Sequence, residues 1–222
     1  MTTVGIIGSG MIGGTVARLS VAARHNVVLS NSRGPETLAE LVAELGPLAA
    51  AGTAEQAAEA GEIVVVSIPV KAFGDVPVKP LAGKPALDTG NYYPRRDGQI
   101  AELDTGALTS SGLLQRDLPE SHVVKVFNNI FFKHLHSLAR PHGAADRTAL
   151  PIAGDDEGAK AAVTAYLDSI GYDAVDAGPI AESWRQEPGT PAYGTPYGPF
   201  SDEAGTPASA AAIHADLVGA HR

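Results

Sequence analysis

The stretch that decides the fold is TVGIIGSGMIGGTVARL, residues 3–19. Its first part, Thr3–Gly8, is a short apolar run rich in β-branched residues that ends in glycine. The second part places Ile12, Val16 and Leu19 at helical spacing. The pattern therefore predicts a strand, a tight turn and a helix.

Three glycines in the turn follow the GxGxxG spacing, at Gly8, Gly10 and Gly13. In this motif the first glycine permits the turn, the second lets a diphosphate approach the backbone, and the third lets helix and strand pack closely. The amino end of the helix adds unpaired N–H groups and a partial positive charge. We therefore expect a dinucleotide to bind here.

The same alternation of strand and helix continues along the chain. Further strands are predicted at Val27–Ser30, Leu48–Ala50, Ile63–Ser67, Pro85–Asp88, His122–Phe127, Ala149–Gly154 and Tyr172–Gly178. Helices are predicted at Pro35–Leu45, Thr53–Ala60, Asp155–Gly171, Ile180–Trp184 and Ala208–Val218. Apolar strands that alternate with helices indicate a doubly wound α/β fold of the Rossmann type, with a mainly parallel sheet.

The length of 222 residues and the 44% of hydrophobic residues allow one main domain with a small addition. Residues 185–207 are rich in Pro, Gly and Tyr and exclude a long helix or a central strand. We therefore expect a nucleotide-binding domain at residues 1–178 and a C-terminal cap of helix and loop, or a dimerisation segment, at residues 179–222.

Charge and composition exclude several classes of protein. The net charge of −9 argues against a sequence-independent grip on nucleic acid, and the chain has no cysteine for disulfides, thiolate metal sites or nucleophilic catalysis. The longest apolar runs are far shorter than the roughly 20 residues of a membrane helix. We expect a cytoplasmic protein that acts on a small molecule and binds no nucleic acid and no membrane.

The residues after the second strand, Asn31, Ser32 and Arg33, bear on which nucleotide binds. An acidic residue here would bind a free ribose diol and repel a 2'-phosphate, but no Asp or Glu occurs from Val27 to Pro35. Arg33 can contact phosphate oxygens, and its neighbours can add neutral donors. This favours NADP(H), with the alternative that Arg33 is solvated and Asn31 only forms a turn.

Polar residues after two later strands are candidates for the reacting end of the site. Asn91 follows the strand at Pro85–Asp88, and Asn128 and Asn129 follow the next one. They could contact the nicotinamide or alter the charge distribution of a second, flavin-type ring. Alternatively, they only cap the ends of the strands.

Four aromatic residues of the tail could cover an aromatic cofactor or pack in a dimer interface. They are Trp184, Tyr193, Tyr197 and Phe200. His134 and His136 lie two residues apart with no nearby carboxylate, so no metal site is expected.

Several motifs in order, among them VGIIGSGMIGGTVARL, LSNSR, VVVSIPV, VVKVFNN and IAGDDEGAK, resemble those of the NADPH-dependent coenzyme F420 reductase family. The resemblance implies hydride exchange between NADP(H) and a deazaflavin, and a homodimer. It also implies binding residues, carried over by position: Gly8, Ser9, Gly10, Met11 and Ile12 in the turn, which Gly13 of the glycine spacing completes, Ser32 and Arg33 at the 2'-phosphate, and Ser67, Ile68 and Pro69 beside the nicotinamide.

Two positions depart from the family pattern. Thr37 stands where some members have a lysine near the 2'-phosphate, and Asn128 stands where some have a histidine beside the deazaflavin. The expected function is therefore an NADP(H)-dependent oxidoreductase that uses a flavin-type acceptor, with coenzyme F420 first. Two alternatives stay open: a reductase of a free flavin or of a small carbonyl or imine, and an NADPH sensor without turnover.

Overall fold

A computed structural model describes residues 1–222, and its centre is one eight-stranded sheet. The strands are β1 (Thr3–Ile7), β2 (Asn26–Ser30), β3 (Ala49–Ala51), β4 (Ile63–Val66), β5 (Pro85–Asp88), β6 (His122–Lys125), β7 (Ala149–Gly154) and β8 (Asp173–Asp176). Their order is β3-β2-β1-β4-β5-β6-β7-β8, and every neighbouring pair is parallel except β6 and β7. The expected mainly parallel, doubly wound architecture is confirmed.

Nine α-helices cover the sheet. They are α1 (Met11–Ala22), α2 (Ala39–Leu45), α3 (Ala54–Ala60), α4 (Pro94–Asp97), α5 (Ala101–Asp104), α6 (Ser110–Asp117), α7 (Phe132–Ser137), α8 (Glu157–Ser169) and α9 (Ala210–Val218). Five 3₁₀ segments add to them, at Pro35–Leu38, Val70–Asp75, Lys79–Leu81, Ile180–Gln186 and Thr195–Tyr197. None of the helices is long and apolar enough to cross a membrane.

The ends of five parallel strands lie level at one edge of the sheet. The strand register aligns Ile7 with Ser30 on one side and with Val66 on the other, and continues from Val66 through Asp88 to Lys125. The loops that follow these five residues therefore meet at the same edge, which is where ligands bind in open α/β sheets.

The expected helix over Pro35–Leu45 is wrong in its first turn, which is 3₁₀ and is followed by α2. The Thr37 N–H and hydroxyl both donate to the Gly34 carbonyl, at 3.2 and 2.8 Å, and this i to i+3 pairing tightens the turn. Gly46 ends α2 as expected, with a φ of +79°.

The C-terminal residues pack into the main hydrophobic core. Ala192, Tyr197, Ile213 and Leu217 are at most 3% exposed and belong to the same apolar cluster as the residues of β1 and α1. The division at residue 178 stays a prediction about independent units, since the structure shows these residues as part of one core. Tyr197 is fully buried and cannot cover a ligand or contact another subunit, so that expectation is wrong for this residue.

Candidate cofactor and substrate site

The glycine turn between β1 and α1 has the geometry that each of its glycines predicts. Gly8 has a φ of +99°, and a Cβ there would lie 2.2 Å from the Ser67 carbonyl oxygen. A Cβ at Gly13 would lie 2.0 Å from the Gly8 carbonyl oxygen, so the third glycine permits the contact of helix and strand. A Cβ at Gly10 would meet no atom within 4 Å. The open side of the turn is therefore at Gly10, where a diphosphate would approach.

The amino end of α1 is open to a ligand. Gly10 is its N-cap, no side chain caps the helix, and Met11 is 69% exposed. Ser9 has another role, because its hydroxyl donates to the Ser30 carbonyl at 2.9 Å and ties the turn to β2. Ile12 is half-buried and packs against the core. The exposed backbone of Gly10 and Met11 therefore leaves an open cradle whose shape and free N–H groups fit a diphosphate.

The loop after β2 contains one side chain that is hydrogen-bonded within the loop and two that make no such bond. Asn31 shapes it, since its Oδ1 accepts the Arg33 N–H at 2.9 Å and its Nδ2 donates to the Thr37 hydroxyl at 2.9 Å. The side chains of Ser32 and Arg33 are exposed and make no hydrogen bond or ion pair within the chain. They are available for a 2'-phosphate, whereas Asn31 holds the loop in place.

One carboxylate lies beside this loop, and sequence reasoning passed over it. The Glu36 oxygens are 2.4 and 2.6 Å from the position that a Cβ of Gly34 would take, so the carboxylate folds back on the loop next to Arg33. Its negative charge opposes a 2'-phosphate. Glu36 is visible in the sequence two residues after Gly34, just beyond the stretch from Val27 to Pro35 that has no acidic residue.

The loop after β4 touches the glycine turn, as expected for residues beside the nicotinamide half of the cofactor. The Ser67 N–H donates to the Ile7 carbonyl at 2.8 Å, and the Ile68 Cγ2 lies 2.8 Å from the position of a Cβ at Gly8. Pro69 precedes the 3₁₀ segment that leads away from the edge. Their contact with a cofactor stays a prediction.

Asn91 lies at this edge, half-buried, and bonds to the end of the next strand. Its Nδ2 donates to the Asn128 carbonyl at 2.7 Å, and the Asn128 Nδ2 donates to the Asn91 Oδ1 at 3.0 Å. Arg96 adds a 2.6 Å hydrogen bond to the Asn91 carbonyl, so this arginine supports the loop.

Asn128 and Asn129 are 5% and 1% exposed, because the C-terminal segment covers them. The Asn128 Nδ2 also donates to the Gln186 carbonyl at 2.7 Å, and the Asn129 Nδ2 donates to the Ala192 carbonyl at 2.8 Å. Phe127, just before them, has a φ of +65°, which is rare for a bulky residue and turns the chain here. These asparagines hold the tail, and of the three only Asn91 is open to a ligand.

A buried charge cluster lies beneath the loop that follows β5, and the sequence did not lead us to expect it. The Lys125 Nζ is fully buried and donates to the Gly90 carbonyl at 2.9 Å and to the hydroxyls of Ser110 and Ser111 at 2.8 and 3.1 Å. Carboxylates of Asp88 and Glu187 lie 3.7 and 3.6 Å from it. The only signal was a lysine inside the apolar run VVKVF.

The tail aromatics other than Tyr197 stay near the surface. Tyr193 shares a 2.8 Å hydrogen bond with Tyr93, and burial together with this bond raises the pKa of Tyr193 well above its ordinary value. Phe200 is 56% exposed and lies 5.2 Å from the ring of Phe131. The tail therefore lies over the loops that follow β5 and β6.

Trp184 and the two histidines have separate surroundings. The guanidinium groups of Arg185 and Arg222 stack on the Trp184 ring, at 4.6 and 4.9 Å. His134 is buried, with its Nε2 2.5 Å from the Asp202 carbonyl oxygen, whereas His136 is exposed. No group of three potential metal ligands comes together in the chain.

Comparison with known proteins agrees with this geometry. Residues 3–92, which run from β1 to the loop after β5, match the family model described as NADP oxidoreductase, coenzyme F420-dependent. The resemblance recognised from the motifs is confirmed over this segment, which is less than half of the chain. The chain is thus similar to NADP-dependent oxidoreductases, the enzyme class expected from the sequence.

Individual relatives extend the likeness. A 53-residue segment is 43% identical to the protein YjhV of Escherichia coli (strain K12), and it covers 24% of this chain and 39% of that protein. A hypothetical protein, SMa0349 from Sinorhizobium meliloti, has a similar structure, with a TM-score of 0.76 and 28% identity over 87% of this chain and 93% of that one. A structure from Arthrobacter sp. FB24, assigned as an F420-dependent NADP reductase, has a TM-score of 0.68 and 24% identity over 82% and 87%. At that identity the likeness supports the fold alone.

Proposed function

We propose that the protein exchanges hydride between NADPH and a flavin-type ring, with coenzyme F420 as the first candidate. One observation carries the cofactor assignment. The open backbone at Gly10 lies at the same sheet edge as the exposed, unpartnered side chains of Ser32 and Arg33. A diphosphate and a 2'-phosphate can therefore be bound by one molecule, NADP(H), whose two anionic groups match these two places.

The residues of the site fit hydride transfer between two rings, which requires close stacking and exclusion of water but no side-chain nucleophile. When bound, NADPH supplies a hydride to the acceptor ring, and a proton from solvent completes the reduction while NADP⁺ is formed. Ser67, Ile68 and Pro69 would border the nicotinamide, and Asn91 would offer its amide to the edge of a ring. Tyr93 and Tyr193 would shield the same region from water.

A homodimer and a cytoplasmic location belong to the same proposal. Phe200 of the tail is a large apolar side chain that is 56% exposed, and contact with a second copy of the chain would cover it. Light scattering on the purified protein measures the assembly. We expect twice the chain mass of 22.7 kDa, and a mass equal to one chain would contradict the dimer.

An acceptor panel tests the reaction. Purified protein is mixed with NADPH and, separately, with F420, FMN, FAD, and a set of carbonyls and imines, while absorbance of the reduced nicotinamide is followed. We expect oxidation with F420. Oxidation only with another acceptor would assign the protein to the alternative class of reductase. Tight NADPH binding without any turnover would overturn the proposal in favour of a sensor.

A further inference from the structure

A cavity of about 460 Å³ lies between α1 and α7, directly beside the glycine turn. Gly10 and Met11 border one end, and Arg18 lies on the wall farther along α1. Because eight residues of α-helix span about 12 Å, the cavity extends well beyond the place of a diphosphate on the turn. The cofactor alone does not account for it.

The cavity carries more positive than negative side chains, although the whole chain has a net charge of −9. Its lining includes two permanent cations, Arg18 and Lys133, against one acid, Glu203, and Phe132 adds an apolar ring. This local excess of positive charge is opposite in sign to the net charge of the protein and favours an anion.

Both cations are held in place by carboxylates. The Arg18 Nε and Nη2 donate to the two Glu44 oxygens at 2.7 and 2.9 Å, which leaves Nη1 without a partner. Lys133 pairs with Glu203 from the tail, and these side chains are 37% and 70% exposed. Because the Glu203 side chain is so exposed, an entering anion can displace it from Lys133 at small cost.

We propose that the cavity between α1 and α7 binds the anionic group, a phosphate or carboxylate, of the hydride acceptor. This rests on the proposed function, because the acceptor ring has to stack on the nicotinamide. The loop of Ser67 and Ile68 that would border the nicotinamide contacts Gly8 of the glycine turn, where the cavity begins. Phe132 packs against the chain that joins the ring to the anion, and Lys133 with Arg18 binds the anion. The protein therefore selects flavin-type molecules with an anionic tail over those that lack one.

Matched pairs of acceptors test this by binding rather than by turnover. FMN differs from riboflavin only by a phosphate, and coenzyme F420 can be compared with its deazaflavin alcohol, which lacks the phosphate-linked tail. Binding is followed by ring fluorescence with the protein saturated in NADP⁺, so that the glycine turn and the 2'-phosphate loop are already occupied. Inorganic phosphate is titrated separately as a competitor.

We expect the anionic member of at least one pair to bind roughly tenfold or more tightly than its neutral partner. Lys133→Gln should remove most of that preference and Glu203→Gln should increase it, while Lys79→Gln, an exposed lysine before β5, should change nothing. Inorganic phosphate should compete with the anionic member only.

Three results would overturn the inference: equal binding within both pairs, no binding of either pair, or a preference that Lys133→Gln leaves intact. Loss of acceptor binding when NADP⁺ is added would overturn it too, because the cavity would then be part of the cofactor site. NADPH oxidation without a preference for anionic acceptors would reject this inference and leave the proposed function standing. A preference for anionic acceptors without NADPH oxidation would reject the proposed function and leave this inference standing.

Discussion

Asn91 and Asn128 bind each other at the ends of β5 and β6, with the Asn91 Nδ2 2.7 Å from the Asn128 carbonyl oxygen and the Asn128 Nδ2 3.0 Å from the Asn91 Oδ1. Gln186 extends the pair, since its Nε2 donates to the Asn128 Oδ1 at 2.9 Å. One buried amide therefore joins the loop after β5 to the C-terminal segment, and the position of Asn91 depends on it.

Asn128→Ala should destabilise the protein by about 2–3 kcal/mol, because it leaves buried partners of the amide unsatisfied. Asn91→Ala should cost less, since Asn91 is only half-buried. Urea denaturation measures both free energies of unfolding, and NADPH titration should show weaker binding to both variants. Asn128→Ala with the stability of the wild type would show that water or a shifted Gln186 replaces the amide.

Lys125→Met should be more severe, with a loss of about 3–5 kcal/mol, because it leaves the fully buried Asp88 carboxylate without its cation and removes the cation beside the partly buried Glu187. The measurement is the free energy of unfolding in urea. Lys79→Met, at an exposed position, is the control and should stay within about 0.5 kcal/mol of the wild type. Equal stabilities of the two variants would mean that the Lys125 charge does not hold the loop after β5.

Arg33→Ala should weaken NADPH binding by roughly tenfold or more and leave NADH binding nearly unchanged, because only NADPH carries a 2'-phosphate. Glu36→Gln should strengthen NADPH binding, since it removes a negative charge beside the same loop. Arg116→Ala, an exposed arginine on α6, is the control. Fluorescence titration with both nucleotides gives the ratio, and equal losses for NADPH and NADH would contradict the role of Arg33.

Stability should fall as the pH drops below about 6.5, partly because of His25. Burial lowers the pKa of this imidazole, and its ring nitrogens bind the Thr2 N–H at 3.2 Å and the Ser169 hydroxyl at 2.8 Å. As the pH falls, the unfolded chain binds a proton on His25 more readily than the folded protein does. The stabilisation from His25 is therefore fully present above its ordinary pKa of 6.5, and it is lost as the pH falls through the lowered pKa of the folded protein.

The measurement for His25 is the free energy of unfolding between pH 7.5 and pH 5 in the wild type and in His25→Gln. The variant should lose less stability than the wild type over this range, because glutamine does not titrate. His214→Gln, at an exposed histidine of α9, should keep the slope of the wild type. The same slope in His25→Gln would assign the acid sensitivity to other groups.

Much of the sheet could be predicted because buried parallel strands are short apolar runs bounded by glycine or polar residues. Pro85–Asp88 and Ala149–Gly154 were predicted with their observed ends. The antiparallel direction of β7 could not be predicted, since a strand covered on both faces has the same apolar pattern in either direction. Four helices between residues 94 and 137 were missed, because they have at most eight residues, which is too short for a helical apolar spacing to repeat.

At the site, the backbone was predictable and the side-chain pairings were not. The glycine geometry follows from local sequence: Gly8 and Gly13 make the close backbone contacts expected of them, and Gly10 leaves the turn open. The burial of Lys125, Asn128 and Asn129 depends on the tail, which reaches them from more than 50 residues away in sequence. No local pattern predicts such a contact.

Gly10→Ala and Gly13→Ala should separate binding from folding. A Cβ at Gly10 meets no atom of the protein within 4 Å, so this variant should fold with a stability within about 1 kcal/mol of the wild type and yet bind NADPH poorly, because the methyl group fills the diphosphate cradle. A Cβ at Gly13 would lie 2.0 Å from the Gly8 carbonyl oxygen, so that variant should lose stability first. Urea denaturation and NADPH titration on both proteins check this. Unchanged NADPH affinity in Gly10→Ala would place the diphosphate elsewhere.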